Sequence, residues 1–209
     1  MNTKAERVGI YGGTFNPVHH GHLLVARDAM EALALDRLLF LPNARSPLRQ
    51  GEKLAPAADR LAMLRLALEG EPRCDVCELE TERGGTSYTV ETLRSLRGTH
   101  PNGILFFLMG ADSLETFDRW VAPEEIVHLA QVVALPRPGF DAAKALAELF
   151  RRAPNLTEKV SLLPEGRHID ISATEIRQRA REGKSLRWLV PDGVAEYVKR
   201  KGLYGRSDE

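Results

Sequence analysis

The sequence predicts an α/β fold: a doubly wound, mostly parallel sheet with helices on both faces and a C-terminal helical segment. Three observations predict it. Short apolar runs of strand length alternate with stretches of helical periodicity from one end of the chain to the other. Ile104 to Met109 is an unbroken apolar run between Gly103 and Gly110, as in a strand buried on both faces. Glycine and proline mark the junctions. Such alternation demands right-handed crossovers, and these lay helices on both sides of one sheet.

Residues 8–11 read as a strand ending at Gly12 and Gly13, and residues 20–35 as a helix, with Leu23, Leu24, Arg27, Met30 and Ala34 at helical spacing. Residues 38–41 are a buried strand stopped by Pro42. Pro56 opens a second helix carrying Leu61, Leu64 and Leu68, with Gly70 just past its end. A strand over 74–79 follows, then a helix over 87–96 marked by Val90, Leu93 and Leu96. After the central apolar strand, short helices are expected around 112–117 and 124–129, and a strand over 131–135. Pro136, Pro138 and Gly139 then turn the chain. A helix over 141–151, strands over 159–163 and 168–171, and helices from Ala173 and from Pro191 complete the reading.

The 209 residues are 43% hydrophobic and 28% charged, with 29 Lys and Arg against 29 Asp and Glu, an ordinary globular composition with formal net charge zero. Roughly 70% of the surface of an unfolded chain this long can be buried on folding, so neither disulfide nor structural metal is needed. A neutral total argues against a general nucleic-acid or membrane-surface binder, while leaving room for a local basic pocket. No run approaches the ~18 apolar residues of a membrane span. The polar start, Met1 to Arg7, does not resemble a signal peptide, so a cytoplasmic address is expected. No repeat or linker divides the chain, and one domain over 1–209 is expected, with C-terminal helices from about 173.

Cys74 and Cys77 form a lone C-x-x-C. The pattern around them alternates like a strand, which points residues three apart to opposite faces, and His100, His128 and His168 offer no paired zinc spacing. Two reduced thiols are expected. Metal ligands are expected nowhere in the chain.

In sheets of this kind ligands bind beyond the carboxyl ends of the strands, so the loops after strands are where chemistry is expected. The loop from Gly12 to His22 is the most informative: glycines allow close approach and positive φ, and a helix start offers N–H groups and a positive dipole end to phosphate. His19 and His22 are neighbours on one helical face, Gly21 leaves space beside them, and His20 points elsewhere. Each histidine alone reads plainly as a solvated helix-start residue. Three of the six histidines within four positions do not. No dinucleotide-binding glycine fingerprint follows the first strand, and Gly183, Lys184 and Ser185 lack the earlier glycine of a Walker loop.

The second cluster runs from Ile171 to Arg177. Ser172 and Glu175 match a capping box and need no ligand to explain them. Thr174 and Arg177 share a face one turn apart, where a hydroxyl and a guanidinium fork at a helix start can hold a polyphosphate.

With both clusters in place the sequence resembles the bacterial nicotinate mononucleotide adenylyltransferases, of the nucleotidyltransferase superfamily with H-x-G-H and S-x-T-x-x-R motifs. His19, Gly21 and His22 match the first motif, and Ser172, Thr174 and Arg177 the second. The resemblance covers nearly the whole chain and implies a Rossmann-like nucleotidyltransferase fold. It implies transfer of the adenylyl group of ATP to nicotinate mononucleotide, with His19, His22 and Arg177 catalytic. Gly12, Gly13, Thr14, Phe15, Ser172, Thr174 and Arg49 would then hold ATP, and Thr86, Tyr88, Asp112, Trp120 and Arg137 the nicotinate nucleotide. Asp112 with Glu115 also reads as a capping box, and Trp120 as core. Two positions depart from the family pattern: Asn16 stands where Asp is usual, and Leu48 where the loop usually has His, leaving any phosphate role there to Arg49 or Arg45.

A phosphate acceptor is already anionic at neutral pH, so transfer needs no general base; what needs stabilising is charge on the α-phosphate and on departing pyrophosphate. Mg2+ bridging the phosphates is the expected cofactor, with no protein ligand. Phosphopantetheine adenylyl transfer, which shares both motifs, and a non-catalytic nucleotide-sensing module are the alternative readings.

Overall fold

The computed structural model describes residues 5–44, 54–164, 167 and 169–205. Six parallel strands form one sheet: β1 (Arg7–Gly13), β2 (Arg37–Pro42), β3 (Cys74–Val76), β4 (Ile104–Gly110), β5 (Gln131–Leu135) and β6 (Val160–Leu162), in the spatial order β3-β2-β1-β4-β5-β6. The chain winds outward from β1 to one edge, returns to β4 and winds to the other edge. The reversal point therefore lies between β1 and β4, where Val8 pairs with both Arg37 and Leu105.

Alternation along the central strands feeds a separate core on each face of the sheet. From β4, Phe106 and Leu108 join residues of α1 (His20–Ala32), α2 (Ala57–Ala67), α7 (Ala173–Arg181) and α8 (Asp192–Lys201), among them Met30, Met63, Ile176 and Val194. Leu105, Phe107 and Met109 face the other way, onto Val90 and Leu93 of α4 (Thr89–Thr99), Ile126 of α5 (Pro123–Leu129) and Leu149 of α6 (Ala142–Arg152). The doubly wound sheet with both faces covered is the architecture the alternation predicts.

The differences are local. The strand expected over 74–79 stops at Val76, and a short helix α3 (Leu79–Arg83) takes over, with Glu80 turned inward and buried. The helix expected from Ser87 begins at Thr89, because the Ser87 hydroxyl is engaged by the Ala44 N–H at 3.0 Å. α1 ends at Ala32, two residues before Ala34 takes a left-handed φ of 46°. The helix around 112–117 is 3-10 rather than α. The strand expected over 168–171 is absent from 169–171: Ile169 and Ile171 pack on the α7 side of the sheet, but no strand pairs with them, so their alternation reflects one-sided burial alone. His168 lies outside the described residues. Among the described residues no helix is long and apolar enough to cross a membrane.

Cys74, in β3, packs toward one core, and Cys77, just past the end of the strand, toward the other. Both thiols are free and half-buried, and burial pushes each up, Cys74 to about 11, which keeps them protonated and unreactive.

Candidate active site

A cleft of about 950 Å³ opens at the carboxyl ends of β1, β2, β4 and β5, over the reversal point of the sheet. It is lined by Gly12, Gly13, Thr14, Phe15, His19 and His22 from the first motif and by Ser172, Thr174 and Arg177 from the second. Tyr88, Asp112, Trp120 and Arg137 line it too. Residues as far apart in sequence as Tyr11 and Arg177 thus meet where an open α/β sheet binds its ligands.

The glycines of the first loop act differently from the sequence reading. Gly12 and Gly13 end β1, and neither has a positive φ; the left-handed residue is Phe15, at φ 47°. What the glycines provide is room for aromatic rings. A Cβ on Gly13 would stand 2.9 Å from the Phe15 ring, and one on Gly12 would stand 3.2 Å from Phe107. Gly21 makes room in the same way for His19, whose Nδ1 would lie 2.9 Å from an added Cβ. Phe15 is 1% exposed, so its side chain is core and only its backbone can face a nucleotide.

His19 is the extended residue that precedes α1, at φ −147°, and His22 lies in the first turn. The His19 N–H donates to His22 Nδ1 at 3.3 Å. A nitrogen that accepts carries no proton, so neutral His22 keeps its proton on Nε2 and presents it as a donor. Tyr11 and Phe15 pack against that ring, Phe15 edge-on at 5.1 Å between centroids, and Phe40 packs behind them against both. Burial pushes His22 well below the usual histidine value, with the neighbouring His19 adding to the shift. Burial, then His20, lowers His19 to about 4. Both imidazoles are therefore neutral donors at physiological pH. His19 Nδ1 is buried without a hydrogen-bond partner in the structure, an orphan that a phosphate oxygen or water would satisfy.

The helix start contributes less than expected. The His20 N–H donates to Leu189 O at 3.0 Å, and the His22 N–H donates to His19 O at 2.9 Å. The imidazoles, rather than these two amides, are the donors aimed at the cleft.

In the second motif Ser172 Oγ accepts from the Glu175 N–H at 3.1 Å, so the capping role is realised. Arg177 spans two segments: Nη2 donates to Thr174 Oγ1 at 3.2 Å and Nη1 to the Asn16 carbonyl at 2.9 Å. That second bond joins α7 to the first loop. On the other side of the cleft Asp112 pairs with Arg137, an ion pair that replaces the capping role suggested by Glu115. Trp120 is half-buried, edge-on to Phe117 at 5.3 Å, with its N–H donating to Thr116 Oγ1 at 3.4 Å. Thr86 lies in an exposed turn and does not line the cleft; its neighbour Ser87 does, beside the buried Glu80. Arg49, with Arg45 and Leu48, lies outside the described residues.

Two residues behind the cleft, Arg60 and Tyr204, have no functional mark in the sequence, and both bond to the first loop. Arg60 on α2 is 1% exposed, and its guanidinium donates to three backbone carbonyls: Thr14 and Asn43, each at 2.8 Å, and Ala55 at 3.2 Å. Asn16 is 3% exposed, and Tyr204 donates to its Oδ1 at 2.8 Å. An arginine directly beside Leu61, on the helix face that also carries Leu64, was the available signal for the first. Nothing local marked Tyr204.

Residues 10–179 match the family model described as cytidylyltransferase-like. The chain belongs to the cytidylyltransferase-like family. Within it, the chain is 43% identical over 199 residues to a protein named probable nicotinate-nucleotide adenylyltransferase of Thermomicrobium roseum, covering 95% of this chain and 92% of that one. A protein of the same name from Geobacillus kaustophilus is 40% identical, covering 95% of this chain and 86% of its own length. The fold matches a solved structure, Plasmodium falciparum nicotinic acid mononucleotide adenylyltransferase complexed with NaAD, at a TM-score of 0.75 and 18% identity over 95% of this chain and 97% of that one.

Proposed function

We infer that this chain is a nicotinate-nucleotide adenylyltransferase: it transfers the adenylyl group of ATP to nicotinate mononucleotide and forms nicotinate adenine dinucleotide and pyrophosphate, in NAD biosynthesis. One observation carries the reading: both superfamily motifs converge with Tyr88, Asp112, Trp120 and Arg137 on a single cleft, in a chain about 40% identical over nearly all its length to proteins of that name.

The acceptor phosphate is largely dianionic at pH 7, so its oxygen attacks the α-phosphorus of ATP without a base. The α,β bridge then breaks, and the electron pair leaves on pyrophosphate. Neutral His19 and His22 donate to α-phosphate oxygens, in a site whose aromatic walls exclude water and strengthen each donor. Arg177, held by Thr174 and by the Asn16 carbonyl, offers its fork to the β- and γ-phosphates, with Ser172, Thr174, Thr14 and the backbone of Gly12, Gly13 and Phe15 beside it. Trp120 offers an indole face to the flat, cationic nicotinate ring, and Tyr88, Asp112 and Arg137 flank the acceptor.

Mg2+ belongs to the nucleotide substrate in this reading. Among the described residues no group of three His, Cys, Asp or Glu side chains is placed to hold a metal ion. A magnesium held by phosphate oxygens and water fits that donor set and would neutralise charge on the leaving group.

Pyrophosphate release with ATP and three acceptors tests the reading. Nicotinate mononucleotide should react, with nicotinamide mononucleotide slower and phosphopantetheine silent. Reaction with phosphopantetheine alone, or ATP binding with no turnover, would replace it by one of the two alternatives.

A further inference from the structure

We propose that Tyr204, at the C-terminal end of the described chain, is a positioning residue for Arg177 and so sets the affinity for the polyphosphate of ATP. The proposal deepens the functional reading above and shares its nucleotide site.

The link runs through Asn16. Tyr204 OH donates to Asn16 Oδ1 at 2.8 Å, and the Ala55 N–H donates to the same oxygen at 3.1 Å. The backbone carbonyl of Asn16 accepts from Arg177 Nη1 at 2.9 Å. Asn16 is 3% exposed, so these partners replace solvent, and the removal of one leaves a buried acceptor short of a bond. The residue is also the hub of the first loop, one turn before the histidines. Its orientation fixes the carbonyl on which Arg177 leans.

Tyr204 is held on purpose. Gly202 ends α8 with a left-handed φ of 61°, and Tyr204 itself takes φ 63°, a conformation that a non-glycine residue adopts only when its surroundings require it. The ring lies close enough to Arg60 and Arg177 for both charges to act on the phenol. Burial outweighs them and pushes its ionisation upward, so the hydroxyl stays a donor throughout the neutral range. The C-terminal segment thereby contributes to a cleft that it does not line.

The test is titration of the full chain with a non-hydrolysable ATP analogue, alongside steady-state kinetics. Tyr204→Phe removes one oxygen and should raise the Kd for the analogue about tenfold, with the KM for nicotinate mononucleotide changed less than twofold. In an Arg177→Ala background the same substitution should add less than twofold, because its effect passes through Arg177. Asn16→Leu, which keeps the backbone carbonyl but cannot accept from Tyr204, should weaken analogue binding like Tyr204→Phe. Tyr197→Phe is the control: it deletes a hydroxyl of α8 that donates to Asp59 at 2.8 Å and bonds to neither Asn16 nor Arg177, and it should leave the Kd within twofold. Unchanged binding by Tyr204→Phe, an equal effect with and without Arg177, or an equal loss in Tyr197→Phe would each overturn the proposal. A wild type that binds the analogue but adenylates no acceptor would overturn the functional reading and leave this one standing.

Discussion

The imidazoles of His19 and His22 lie 3.7 Å apart between ring centroids, inclined by 32°, and the backbone N–H of the first donates to Nδ1 of the second. Two protonated rings at that spacing would repel each other, so the arrangement opposes double protonation, and burial holds both rings below the usual histidine value. Each neutral ring then has one N–H to offer, in a cleft that both histidines line together with Tyr11 and Trp120.

Replacing either histidine with Ala should therefore lower kcat by roughly 10²-fold or more, the scale for losing one preorganised donor to a transition state. His20 does not line the cleft, and His20→Ala should change kcat less than fivefold. Single-turnover rates with saturating ATP check the comparison. Equal losses at all three positions would mean that the loop had collapsed.

The depressed histidines also make stability pH-dependent. Below about pH 6.5 the unfolded chain takes up a proton at residue 19 that the folded chain refuses until about pH 4. Unfolding is thus linked to proton uptake, and stability is fully present above pH 6.5 and lost as pH falls toward 4, by about 3 kcal/mol for this residue at the bottom of the window. Urea midpoints between pH 4.5 and 7 should show the slope, and His19→Ala should flatten it. A wild-type midpoint independent of pH would contradict neutral burial.

The sheet and its winding were legible in the sequence because they depend on period and run length, which a chain displays locally. Both motifs were legible for a related reason: His19 with His22, and Thr174 with Arg177, are neighbours along single helix starts. Contacts across long separations were not. Arg60 reaches Thr14 over 46 positions, and Tyr204 reaches Asn16 over 188. The strand expected over 168–171 is missing from 169–171 for the same cause, since alternation reports burial on one side and says nothing of a pairing partner. The role of Gly13 was misjudged because the ring that needs its space, Phe15, is recognisable only once the loop is folded back on itself.

Arg60 should be a stability residue whose loss also reaches the cleft. Its guanidinium satisfies three carbonyls in a region where no carboxylate bonds to it among the described residues. Arg60→Met fills similar volume but leaves the Thr14, Asn43 and Ala55 carbonyls unpaired, and should destabilise by roughly 2–4 kcal/mol. Arg60→Lys should lie between, because one ammonium cannot reach three diverging acceptors with a planar fork. Urea unfolding measures both, and a Met variant as stable as wild type would show that water replaces the guanidinium without loss.

Acceptor recognition is the place where one side chain can separate binding from chemistry. Trp120 is fixed at its edge by the Thr116 hydroxyl and by Phe117, so its indole plane is preset before any ligand arrives. A quaternary pyridinium stacked on that face gains roughly 0.5–2 kcal/mol, equivalent to about 2- to 30-fold in affinity. Trp120→Ala should therefore raise the KM for nicotinate mononucleotide within that range and leave the KM for ATP nearly unchanged, because the histidines and Arg177 do not depend on Trp120 for any hydrogen bond. Trp120→Phe retains an aromatic face and should recover part of the loss. Two-substrate kinetics on the three proteins decide the matter. Equal rises in both Michaelis constants would make Trp120 a wall of the fold on which Phe107 and Phe117 pack, and would move the ring-binding surface to another part of the cleft.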